Sequence, residues 1–174
     1  MTRHNPSRRT FLAASAGAAL APGAASATQP EPPTSEVFDY EVTRTEDEWR
    51  AMLTNEEFHI LRRGSTELPK TSTLWNNTAA GSYHCKGCAL TVYASDWKVE
   101  LDKGWAFFKH AVPDAVMMSI DGVPAYGGMA ATFEPMIEVH CRRCASHLGH
   151  ILKVDGKVLH CINGKALTFR DKAA

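Results

Sequence analysis

Apolar positions along the chain change their spacing twice, and each change predicts a different structure. Between residues 44 and 64 they recur at helical intervals. Thr45-Glu46-Asp47-Glu48 has the form of a capping box, in which Thr and Glu close each other's backbone N–H groups, and Trp49, Met52 and Leu53 then share one face. Thr54-Asn55-Glu56-Glu57 repeats the form, leads into Phe58, Ile60 and Leu61, and stops at Gly64. From Ser82 onward the runs shorten to strand length: Leu90–Tyr93, Trp105–Phe108, Val116–Ile120, Met136–His140, Ile151–Val154 and Val158–Ile162, broken by Gly, Asp and Pro. Asp121-Gly122 and Asp155-Gly156 are hairpin-turn signals. The pattern predicts a mainly β domain, an antiparallel and partly closed sheet with two N-terminal helices packed outside. Those helices read as packing elements rather than sites of chemistry, and no internal repeat is visible.

The first 43 residues follow neither rhythm. Ser7-Arg8-Arg9-Thr10-Phe11-Leu12 is a twin-arginine pattern, an alanine-rich apolar run extends from Phe11 to Ala21, and Ala25-Ser26-Ala27 has the small residues of a cleavage site. The run is roughly half the ~20 residues that span a bilayer, so no stable membrane anchor is expected. Residues 1–27 therefore read as a twin-arginine signal peptide and 28–43 as a linker carrying Pro30, Pro32 and Pro33, leaving 44–174 as the domain. That leader implies a periplasmic or otherwise extracytoplasmic destination, reached already folded.

The chain's 174 residues, 44% hydrophobic and 22% charged, suit one globular domain, expected to be a monomer. Its zero formal charge gives no indication of nucleic acid as a partner. Of 19 basic residues the leader holds Arg3, Arg8 and Arg9, so the mature chain sets 16 against 19 acids, a net of −3.

The five cysteines sharpen the reading. Cys85 and Cys88, and Cys141 and Cys144, form two C-x-x-C knuckles, the spacing with which two thiolates grip one zinc ion. Together they complete a closed, structural four-sulfur site holding one Zn²⁺ per chain and tying distant strands together. Metal loading before export would protect those thiolates from oxidation. Redox dithiols are the competing reading of the same pairs.

Cys161 is left over, and a spare thiol near histidines is a candidate nucleophile. Asn163 lies two residues on, on the same face of a strand, and His147 and His150 come from a neighbouring segment as proton donors. The aromatic cluster of Trp105, Phe107 and Phe108 is either core or an apolar pocket for a small methyl-bearing group.

From about Arg44 to Phe169 the order of these motifs resembles the methionine-R-sulfoxide reductases. The matching pieces are Thr45–Trp49 with Leu53-Thr54, Gly81–Cys88, Gly104-Trp105, Glu138–Cys144, His147-Leu148-Gly149-His150 and Cys161–Phe169. The resemblance implies that the Cys161 thiolate attacks the sulfur of R-methionine sulfoxide, free or protein-bound, and is left as a sulfenic acid. His147, His150 and Asn163 would position substrate or water and supply protons, while Trp105, with Phe108, would bind the substrate.

The chain departs from that pattern in four places. The usual Gly-Trp-Pro-Ser-Phe is Gly104-Trp105-Ala106-Phe107-Phe108, and the arginine two residues before the nucleophile is Leu159. The aspartate after the histidines comes one position late as Asp155, and Lys103 stands where many members carry a resolving cysteine. With four cysteines assigned to metal, none remains to resolve Cys161, so an external thiol or thioredoxin-like reductant is expected. The alternative is a non-catalytic zinc-clamped β module that binds a protein or small ligand.

Overall fold

The computed structural model describes residues 38–121 and 136–172; the expected leader 1–27, the expected linker as far as residue 37 and Gly122 lie outside the described residues. Both capping boxes form. Helix α1 (Glu46–Met52) starts at Thr45 and α2 (Asn55–Arg63) at Thr54, each threonine accepting the N3 backbone N–H while the N3 glutamate reaches back. Gly64 ends α2 in the left-handed region at φ 67°, which a residue lacking Cβ adopts without strain.

The strands divide between two open antiparallel sheets. The smaller contains β1 (Gly81–Cys85), β2 (Thr91–Ala94) and β9 (Leu167–Asp171) in the order β2-β1-β9. The larger is built from β3 (Lys98–Val99), β4 (Ala106–Phe108), β5 (Val116–Asp121), β6 (Met136–Cys141), β7 (His147–Val154) and β8 (Lys157–Ile162). Its order is β3-β4-β8-β7-β6-β5. Asp155 (φ 48°) and Gly156 (φ 81°) make the two-residue turn between β7 and β8. Asp121, by contrast, stands opposite Met136, so the chain joining β5 to β6 is residues 122–135 rather than a two-residue turn.

The core lies between the sheets and helices, with Phe58, Ile60 and Leu61 of α2 buried alongside Tyr83, Tyr93, Phe108 and Ile162. The described chain begins at Phe38, within the expected linker. Val42 N–H donates to Arg143 C=O at 3.0 Å and Glu41 pairs with Arg143, so the last residues of the expected linker are fastened to the second knuckle. No helix among the described residues is long and apolar enough to cross a membrane.

Candidate active site

The cysteine knuckles are one local structure made twice. In each, the residue after the second cysteine folds back to bond the first: Ala89 N–H to Cys85 C=O (2.8 Å) and Ala145 N–H to Cys141 C=O (2.9 Å), with both alanines left-handed at φ 61° and 58°. Cys85 ends β1 of the small sheet and Cys141 ends β6 of the large one, so the knuckles bring the two sheets together. The four Sγ atoms lie within 4.8 Å of one another, with Cys85–Cys144 at 3.7 Å and Cys88–Cys141 at 3.5 Å. A tetrahedron with metal–sulfur bonds of ~2.3 Å has edges of about 3.8 Å. Four sulfurs at that spacing fit one soft metal ion, and the distances are far too long for disulfides.

The helices do more than cover a sheet here. Arg62 of α2 donates to Cys144 C=O at 2.9 Å and Arg44 to Gly87 C=O at 3.4 Å, one carbonyl in each knuckle. Trp49 of α1 has both guanidinium groups on its ring, at 4.8 Å and 4.5 Å from the centroid. The pair therefore clamps both knuckles.

Cys161 stands elsewhere, in the middle of the large sheet. Its direct neighbours are His150 on β7 and Phe107 on β4. It opens into a cleft of about 210 Å³ that Trp105, Met136, His150, Leu152 and Asn163 also line, with no lysine or arginine among the described residues of its wall. Thr66 and Gly64, just past α2, close one side. Gly149 pairs with Ile162 at a close approach: a Cβ there would sit 2.1 Å from Cys161 C=O.

His147 and His150 are three residues apart, so a regular strand would send them to opposite faces. A bulge prevents this. Val139 pairs with Gly149 but His140 with His147, leaving Leu148 as an extra residue that restores the shared face. The rings meet edge to face, centroids 5.2 Å apart. His147 is buried, and its Nδ1 bonds the Glu138 carboxylate at 2.6 Å; Ser119 Oγ donates to the same carboxylate at 3.1 Å. The His147 bond, opposed by partial burial, pulls Glu138 down to about 2. His147 Nε2 is buried with no hydrogen-bond partner among the described residues.

Burial pushes the Cys161 thiol up to about 12, and the charge of Glu67 adds to the effect. Neither feature next to Cys161 in sequence opposes this. Leu159 is buried and uncharged where an arginine was expected, while His160 lies on the other face, its Nδ1 3.0 Å from Tyr93 OH. These surroundings favour the thiol form of Cys161.

Two further expected site residues sit as follows. Phe108 pairs with His160, not with Cys161, and is fully buried against Tyr93 (centroids 4.3 Å, stacked) and Tyr83. It is core, and its odd separation from Trp105 already puts the two on opposite faces of a strand. Asn163 lines the cleft, and each end of its amide makes one bond: Oδ1 accepts from Glu67 N–H (3.0 Å) and Nδ2 donates to Leu148 C=O (3.1 Å). These bonds hold it at the end of β8. Two of the departures meet each other: Lys103 pairs with Asp155 at 3.5 Å, both exposed at the β7–β8 turn.

Glu67 and Glu138 carry no role in the sequence reading. Glu138 shares the alternation of β6 with His140, which puts it on the histidines' face, but its partner depends on the bulge. Glu67 sits in the stretch between α2 and β1, where no periodicity marks it.

A family model described as the SelR domain matches residues 53–171. The peptide methionine sulfoxide reductase MsrB of Agrobacterium fabrum is 35% identical over 140 residues, 78% of this chain and 97% of that protein. The protein of the same name from Methanosarcina barkeri is 36% identical, covering 74% of this chain and 88% of its own length. Peptide methionine sulfoxide reductase B3 of Arabidopsis thaliana is 33% identical over 76% of this chain and 73% of its own.

Proposed function

Since the chain belongs to the methionine-R-sulfoxide reductase family and is an oxidoreductase of that kind, we propose that Cys161 is its nucleophile, taking oxygen from the R-sulfoxide of methionine as a sulfenic acid. The observation that carries this is the pairing of Cys161 with His150 inside a cleft lined by Trp105. Every other cysteine is gathered in the distant-strand sulfur cluster.

The raised pKa of Cys161 supports one order of events. A thiol already holds the proton the sulfoxide oxygen needs. As Sγ bonds the substrate sulfur, the S–H proton passes through His150 to that oxygen; the hydroxyl then moves to Sγ and the substrate sulfur leaves with its electron pair as the thioether. Methionine sulfoxide gains two electrons in becoming methionine and Cys161 loses two, ending as S–OH. His147 acts through its neighbour, held by Glu138 so that its ring edge meets His150. Trp105 takes the methyl group on its apolar face.

Restoring Cys161 takes two external thiols. The first condenses with S–OH to give a mixed disulfide and water, and the second releases Cys161 as a thiol together with the external disulfide. A small thiol or a thioredoxin-like protein fits this role, with oxidised proteins or free methionine sulfoxide as substrate. The sulfur cluster is read as holding zinc, structural because all four positions are filled by protein. Residues 1–27 are read as a twin-arginine signal peptide delivering the folded domain to the periplasm, where it would repair oxidised methionine.

The test is a stereospecific assay with R- and S-methionine sulfoxide on wild type and Cys161→Ser. Turnover of the R form alone, lost in the variant, is expected. Turnover retained by Cys161→Ser would refute the assignment.

A further inference from the structure

Glu67 is one of few buried charged residues, 3% exposed, and lies in the irregular stretch after α2. Such a carboxylate is costly unless something compensates it. Among the described residues no basic side chain bonds it: the Lys165 charge acts on it from a distance, but Lys165 Nζ is paired with Glu56. Glu67 is held only by two backbone N–H groups, Gly164 to Oε1 (2.6 Å) and Lys165 to Oε2 (2.9 Å), and burial raises its pKa. Its own backbone is also engaged. The N–H donates to Asn163 Oδ1 and the C=O accepts the Trp105 indole N–H at 3.2 Å.

Two of these four bonds end on residues that line the cleft, Trp105 and Asn163, and the other two on Gly164 and Lys165, which follow Asn163 in the chain. Trp105 precedes β4, and Asn163, Gly164 and Lys165 follow Cys161 at the end of β8. The turn they grip is tightly packed: a Cβ at Gly164 would lie 2.3 Å from Ser72 Oγ and 2.6 Å from Ser72 Cβ. We propose that Glu67 is a positioning residue for the reaction, locking the Trp105 side of the cleft to the end of the strand that carries Cys161. It contacts neither substrate nor the reacting sulfur. This rests on the reading of Cys161 as nucleophile.

Two variants separate charge from reach. Glu67→Gln keeps the length but turns a donor toward an N–H; Glu67→Asp keeps the charge but is one methylene short. Each should lose about tenfold or more in kcat/KM for an R-sulfoxide peptide, as misplaced positioning groups do. Glu56→Gln, on the surface side of Lys165, should leave it unchanged. A second measurement does not depend on turnover: iodoacetamide labelling of Cys161 at pH 8.5 in metal-loaded protein. Labelling should speed up by at least about threefold in Glu67→Gln, where the nearby negative charge is gone, and stay near wild type in Glu67→Asp. Folded variants with wild-type kcat/KM overturn the proposal, as does loss of fold by both, which would make Glu67 purely structural. Cys161→Ser run beside them separates the premise: if it retains turnover, the nucleophile assignment fails, whereas Glu67 fails on its own when only its variants behave as wild type.

Discussion

Replacing Gly149 with alanine tests how closely the histidine strand fixes the nucleophile. In the native pairing a Cβ at 149 would stand 2.1 Å from Cys161 C=O and 2.9 Å from Ile162 Cα, both backbone atoms with no rotamer to escape into. Ordinary contact begins at 3.4 Å, so β7 and β8 must separate by about 1.3 Å at the residue carrying the thiol. Misplacing a reacting group by ~1 Å costs on the order of 100-fold, and overpacking of this kind costs about 1–3 kcal/mol of stability. Gly149→Ala should therefore show both losses, kcat/KM measured with an R-sulfoxide peptide and stability by denaturant titration. Gly156→Ala is the control. It is left-handed at φ 81° with nothing within 4 Å, so the change strains only the turn, at about 1–2 kcal/mol, and should spare kcat/KM. If Gly149→Ala keeps kcat/KM within about threefold of wild type, β7 does not fix the position of Cys161 and the reasoning fails.

Trp105 and Phe108 should part company. Trp105→Ala should cut kcat/KM by about 100-fold with little change in stability, while Phe108→Ala should cost about 3–5 kcal/mol and leave kcat/KM of the folded fraction near wild type; the reverse pattern, from thermal denaturation beside kinetics, would return Phe108 to the site. Free Cys161, pushed up to about 12, should stay protonated through neutral pH, because raising the pKa of an acid favours its neutral form. Its alkylation rate should then climb about tenfold per pH unit from 7 to 10, and a plateau by pH 8 would refute this. Stripping the metal should lower stability by several kcal/mol, on the order of structural zinc sites, read by calorimetry with metal analysis. An apo protein that melts with the native one would mean the two sheets do not depend on the cluster.

What was legible in the sequence was local. Thr45, Thr54 and Gly64 mark helix ends through bonds made within a turn, and Asp155-Gly156 closes a two-residue hairpin by its own backbone preferences. The four metal-site cysteines were legible because their spacing is itself the chemistry. The illegible parts depend on remote partners. Cys85 and Cys144 meet across 59 residues, which the sequence suggested, but the split into two sheets follows from β9 pairing with β1, and no local signal announces that. A single bulge at Leu148 decides which face His147 occupies. Glu67 reaches Asn163 across 96 residues from a stretch without periodicity. Phe108 is the exception, since simple alternation from Trp105 placed it in the core and the family motif hid that.

The central claim, one redox cysteine working without an internal partner, is tested most directly by single-turnover chemistry on the metal-loaded protein. Mixed with excess R-methionine sulfoxide and no reductant, wild type should release one methionine per chain and stop, with Cys161 as its sulfenic acid by mass spectrometry and no disulfide to any other cysteine. Added thiol should restart turnover, and Cys161→Ser should release nothing. Release of methionine by Cys161→Ser, or a disulfide from Cys161 to Cys85, Cys88, Cys141 or Cys144 after that turnover, would contradict the account.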